Sequence, residues 1–170
     1  QLLEASDGWL YGTTYAGGGY GGGIELEADS YLRISDSVIQ SNHATGGNAQ
    51  NGAMAGGGGF LWDRTTVILD RVRVIGNAVK GGTGTLQRGS AVGGGVHGMR
   101  TAGEATITVL NTLIANNSIE FGDGTGSAIF GAGGGMYIQG YPAEIRHSTF
   151  SGNTLDSEML YGVAITISSA

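Results

Sequence analysis

Asp36, Asp70 and Arg71 come nearest to a chemical constellation in this chain. Cleaving a polysaccharide takes two carboxylates a few ångströms apart, or a bound cation that acidifies a sugar C–H bond. Asp36 and Arg71 stand 35 residues apart, and Asn111 and His147 continue the series at intervals of 40 and 36. Ser35, Asp70, Leu110 and Arg146 form the series beside it. If these intervals are turns of a repeat, each series is an outward column. Neither column sets two carboxylates on adjacent turns, so Asp36, Asp70 and Arg71 read as ion pairs on a solvated face.

The other candidates for chemistry are weaker. His43, His97 and His147 fall at different points of the repeat and would not converge on one metal. The stretch GDGTGS at Gly122–Ser127 is similar to a Gly/Asp calcium repeat. It occurs once, and its counterparts GGTGTL and GGNAQN lack the Asp, which favours a plain turn. The glycine runs are not followed by Lys-Ser/Thr or by a helix pattern, so they are not phosphate loops. No catalytic residue, metal ligand or cofactor is expected.

The elements that would position any of these residues are set by four asparagines. Counting back from Asn42, Asn77, Asn117 and Asn153, three apolar columns recur at fixed offsets. Leu32, Val67, Ile107 and Ala143 make the first column. Ile34, Leu69, Val109 and Ile145 make the second, and Ile39, Val74, Ile114 and Phe150 the third. A glycine run precedes each asparagine, ending at Gly23, Gly59, Gly95 and Gly135, at spacings of 36, 36 and 40. Periods of this length belong to solenoids. Three short strands per turn would stack coil on coil about 4.8 Å apart, with repeats beginning near residues 21, 57, 93 and 133 and a partial one from 162. Glycine-rich connectors would lie near residues 45–56, 80–92 and 120–132. The asparagines would form a structural ladder at a turn, since Asn tolerates positive φ and its amide can bond the next coil.

The fold expected is all-β: a parallel β-helix of about four and a half coils, with residues 1–170 as one segment. The 170 residues hold 35 glycines, one proline, one lysine and no cysteine, with a net charge of −6. That charge and the lack of a basic cluster argue against nucleic acid, and no apolar run is long enough to span a bilayer. The start at Gln1 and the unfinished repeat at the end suggest a piece excised from a longer solenoid. Trp9, Tyr11, Tyr15, Tyr20, Phe121, Phe130, Tyr141 and Tyr161 lie in or near connectors. They would pack over the glycine-rich backbone as a secondary core, or else gather into a surface for sugar or protein.

The pattern GGG[IFVM] followed by [IVF]-x-x-N resembles the right-handed β-helix repeats of bacterial surface and secreted proteins. The polymorphic outer-membrane protein passengers, with GGA[ILV] and FxxN motifs, are similar, and Phe150-Ser-Gly-Asn153 matches the second motif outright. The chain departs from them in GGG for GGA and in Ile or Val where they more often have Phe. The resemblance covers roughly residues 17–167. It implies a right-handed, pectin-lyase-like coil and an extracellular or cell-surface stalk, adhesin or filament segment without catalysis. Its expected partners are further β-helical coils or identical copies stacked head to tail, with carbohydrate or a host surface as further candidates. The alternative is a fragment of a β-helical polysaccharide lyase or glycoside hydrolase, because pectate lyases and polygalacturonases share this coil.

Overall fold

Leu32 and Ile34 flank Arg33, Ile107 and Val109 flank Thr108, and Ala143 and Ile145 flank Glu144, while Val67 and Leu69 hold the same spacing around Ile68. Each pair forms a strand with one face inward. The computed structural model describes residues 22–26, 30–99, 106–127, 130–140, 142–155, 162 and 165–168. Within them the strands Ser30–Ser35, Thr65–Asp70, Ile107–Leu110 and Ala143–Arg146 lie side by side, parallel and in register. Leu32, Val67, Ile107 and Ala143 are successive partners in that register, and so are Ile34, Leu69, Val109 and Ile145.

The same stacking recurs around the turn. A five-rung sheet contains Ile24–Leu26, Phe60–Asp63, Val96–Met99, Met136–Gln139 and Ile165–Ser168. We call it the first sheet and the one above the second. The third holds Val38–Gln40, Arg73–Ile75, Leu113–Ala115 and Thr149–Ser151, and it aligns Ile39, Val74, Ile114 and Phe150. After the asparagines the chain runs through a fourth sheet, His43–Thr45, Ala78–Lys80, Ser118–Glu120 and Thr154–Leu155. The fold is therefore an all-β solenoid of stacked parallel strands, with no helix among the described residues.

The connectors differ from the sequence expectation of three strands per turn. They carry two more sheets: a fifth with Ala49–Asn51 and Gly84–Gln87, and a sixth with Ala55–Gly56, Ala91–Val92 and Gly131–Ala132. These strands are two to four residues long and poor in large side chains, so they leave no period-two signal. The fifth-sheet pair also shifts register between Gly84 and Gln87.

Each turn has two lobes. The first three sheets enclose the larger core, where Phe60, Trp62, Leu69, Ile107, Ile114 and Met136 are fully buried. Burying each such side chain contributes about 1.5–3 kcal/mol. Trp62 reaches across to the next rung, where a Cβ on Gly98 would lie 2.3 Å from its ring. The smaller core holds Ala44, Val79 and Ile119 of the fourth sheet, Ala55 and Ala91 of the sixth, and Phe121. Beyond it the two legs of the lobe touch backbone to backbone. Ala53 N–H donates to Gly47 O, Gly82 N–H to Ala53 O, Gly89 N–H to Gly82 O and Gly122 N–H to Gly89 O, at 2.8–3.0 Å. A Cβ on Gly82 would sit 2.0 Å from Gly47 O. That contact requires glycine.

The ends of the stack are less covered than its middle. Ala143, expected inside, is exposed on the last rung of its sheet. Leu32, Ile145 and Phe150 pack against the core but are only half-buried, since each lies on the first or last rung of its sheet. Val67, Leu69, Val74, Ile107, Val109 and Ile114 occupy middle rungs, and each is at most 1% exposed.

Candidate functional site

The asparagine ladder stands where the lobes meet. Asn42 Nδ2 donates to Asn77 Oδ1 at 3.0 Å, Asn77 Nδ2 to Asn117 Oδ1 at 2.9 Å and Asn117 Nδ2 to Asn153 Oδ1 at 2.9 Å. Each of those oxygens also accepts the backbone N–H of the preceding asparagine at 3.0 Å. The second amide hydrogens of Asn77, Asn117 and Asn153 go to Ile39 O, Val74 O and Ile114 O. Asn77 and Asn117 thus use both amide hydrogens and two acceptor sites internally.

The glycine runs cross beside this ladder. A Cβ on Gly59 would lie 2.9 Å from Asn77 Nδ2, and one on Gly58 would lie 2.7 Å from Ala78 O. The two sequence anchors, GGG and Asn, are therefore the two strands of one waist. Positive φ was expected at the asparagines, but it belongs to the residues before them. Ser41, Gly76, Asn116 and Gly152 have φ of 55°, 62°, 54° and 60°. This turn frees the following asparagine to face inward with an extended backbone.

A second left-handed column contains Asp36, Arg71, Asn111 and His147, with φ of 49–57°. These residues turn the chain from the second sheet into the third. Their outward side chains make the ion pairs expected from the sequence. Arg71 Nε and Nη2 donate to the two Asp36 oxygens at 2.6 and 2.7 Å, and Nη1 donates to Asp70 Oδ2 at 2.8 Å. Arg33 Nη2 reaches the same Asp70 oxygen at 3.0 Å, and Asn111 Nδ2 lies 3.4 Å from Oδ1. The Arg71 hydrogen bonds hold the exposed Asp36 carboxyl below its usual range. A general acid needs a carboxyl raised toward neutrality. Asp36 is shifted the other way.

His43 and His147 are exposed and His97 is buried, each on a different sheet or turn. No cluster of His, Asp or Glu capable of holding a metal occurs among the described residues. Asp123 of the GDGTGS stretch pairs with Lys80 Nζ at 2.9 Å, and Gly124 bridges to Gly84 of the neighbouring coil. Phe121 joins the smaller core. Trp9, Tyr11, Tyr15, Tyr20, Tyr141 and Tyr161 lie outside the described residues.

One concavity was not foreseen. On the three middle rungs of the first sheet the outward register partners Leu61, His97 and Tyr137 are buried like the inner face. The corner between the sixth and first sheets folds inward there, bent by Gly57, Gly93 and Gly133 at φ of 58–67°. Val92, Ala132 and Tyr137 cluster in the corner, with Met54 and Phe130 against them. Beside them His97, Met99 and Gln139 complete a half-open cleft of about 260 Å³. The Tyr137 ring lies 5.4 Å from His97 and 5.6 Å from Phe130, the latter edge to face. The available signal was the run Phe60-Leu61-Trp62 and its counterpart Met136-Tyr137-Ile138, which do not alternate as a one-sided strand would.

His97 is 1% exposed and its Nδ1 has no hydrogen-bond partner. Burial alone pushes its pKa from 6.5 down to about 4. Above pH 6.5 the imidazole is neutral in both folded and unfolded chains. Below it the unfolded chain takes up the proton first, so stability falls as pH drops from 6.5 toward about 4, at up to about 1.4 kcal/mol per pH unit. Thermal melts across that window should show a smaller loss for His97→Gln than for the native chain.

Comparison with protein-family models, with curated proteins and with solved structures finds no match for this chain.

Proposed function

We propose that this chain is a non-catalytic, right-handed β-helical scaffold: a stalk, adhesin or filament segment of the extracellular or cell-surface type. The observation that carries the reading is where the polar groups are spent. The Asn77 and Asn117 amides bond along the axis. Arg71 bridges Asp36 and Asp70 on adjacent rungs. A pair of free carboxylates would favour a lyase or hydrolase, whereas these are clamped by guanidinium groups. The preference for right-handed crossovers between parallel strands of one sheet supports the handedness.

The partners proposed are further β-helical coils or identical copies stacked head to tail. The last rungs present Ala143 and Ile167 to solvent and leave Ile145, Phe150 and Leu155 half-covered. Such a contact is heterologous and extends without closing. The experiment incubates the purified chain with polygalacturonate, alginate and chondroitin, with and without calcium, and follows its size by light scattering. The expected outcome is no unsaturated or reducing ends, with axial association that Ile167→Lys suppresses. Turnover lost on substituting Asp36 or Asp70 would contradict the scaffold and favour the enzyme.

A further inference from the structure

The outer corner between the sixth and first sheets departs from the rest of the surface. Outward positions of the second and third sheets include charged groups such as Arg33, Asp36, Arg73 and Glu144, which face solvent. Here Leu61, His97 and Tyr137 are buried, and among the described residues the cleft beside them is lined by no Asp, Glu, Lys or Arg. Its walls are two thioethers, Met54 and Met99, and two aromatic rings, Phe130 and Tyr137. Thioether sulfur and ring edges both pack well against another aromatic ring. The polar side chains that join them in the lining are His97 and Gln139.

We propose that this cleft binds a small uncharged aromatic molecule bearing one hydroxyl or ring N–H. Its ring packs against Met54, Met99, Phe130 and Tyr137, and its polar group is received by Gln139.

Size, charge and polarity each narrow the class. An apolar cavity of about 150 Å³ already holds benzene, so about 260 Å³ has room for a substituted ring or a fused bicycle. It is smaller than the ~300–1,000 Å³ typical of sites for larger ligands. A carboxylate or ammonium would lose hydration with no opposite charge among the described lining residues. His97 does not supply one, because burial keeps it neutral at physiological pH. A monosaccharide carries several hydroxyls, and most would face methionine and phenyl groups without partners. A phenol or indole has one polar group and a flat apolar body, in the proportion the lining offers. His97 Nδ1 is itself buried against Gly56, so the half-buried Gln139 amide is the polar group that a ligand meets.

The test is saturation-transfer NMR on the full chain with p-cresol and indole as probes, and with benzoate and glucose as comparisons. Fragments of this size should bind with Kd of about 1 mM or tighter, and benzoate and glucose should bind at least about tenfold more weakly. The Gln139 side-chain amide should shift on titration with p-cresol. Met54→Trp, placed at the half-buried edge of the cleft, should abolish the transfer by filling it. Gln139→Leu should weaken p-cresol severalfold and spare toluene, a readout that does not depend on the first variant folding. Absence of transfer from both probes at several millimolar would overturn the proposal. So would binding unchanged in Met54→Trp, or glucose binding as well as p-cresol.

Discussion

Val109→Asp abolishes the folded state, while Thr108→Lys, one residue away, leaves it standing. Val109 is fully buried and lies between Leu69 and Ile145 in register. A carboxylate there would lose its hydration with no partner within the larger core. The cost of several kcal/mol is comparable with the whole stability of a domain this size, about 5–15 kcal/mol. Thr108 points the other way, between Ile68 and Glu144, where a lysine reaches water and an opposite charge. Circular dichroism melts of the two variants decide the matter. Equal tolerance of both would mean that the inward and outward faces of the second sheet are exchanged.

Gly94→Ala is as damaging, with a single methyl group. Its Cβ would lie 2.2 Å from Gly134 O on the next rung and 2.7 Å from Ser118 O across the waist. Both are backbone atoms, so no side chain can swing away. Separating the strands there would break the Gly94 N–H to Gly133 O bond and disturb the adjacent Asn117 ladder. The expected loss is at least about 3 kcal/mol, in the range of overpacked or strained sites. Gly76 is the contrast. It has φ of 62° and open space where a Cβ would go, and Asn116 holds the equivalent turn on the next rung. Gly76→Asn should therefore change stability by less than about 0.5 kcal/mol, or raise it slightly by restricting the unfolded chain. Urea unfolding midpoints compare the two. If Gly76→Asn cost as much as Gly94→Ala, close approach at the waist would not be why these glycines are present.

The stacking register was legible because large β-branched and aliphatic residues repeat at fixed distances from each asparagine. Ile39, Val74, Ile114 and Phe150 needed no structure to be aligned. What the glycines do was harder to read. Gly57–Gly59 and Asn77 are both visible as repeating anchors, yet nothing in their spacing says that the two segments cross. The short connector strands, as at Gly84–Gln87 and Gly131–Ala132, are hidden because they hold too few large side chains to show a period. Asp36, Asn111 and His147 are types that accept positive φ, and Arg71 in the same column disguised the turn. The cleft was missed because Leu61, His97 and Tyr137, although each stands two residues after a glycine triplet, have little chemistry in common.

The central claim is that residues 35–40 apart in sequence are nearest neighbours in one parallel, in-register stack. Nuclear Overhauser contacts in isotopically labelled chain test it most directly. The account predicts cross-strand amide contacts from the Ile107–Val109 segment to both Val67–Leu69 and Ala143–Ile145, with the side-chain amide of Asn77 close to that of Asn117. Antiparallel contacts between segments adjacent in sequence, or a register in which Ile107 meets neither Val67 nor Ala143, would contradict it.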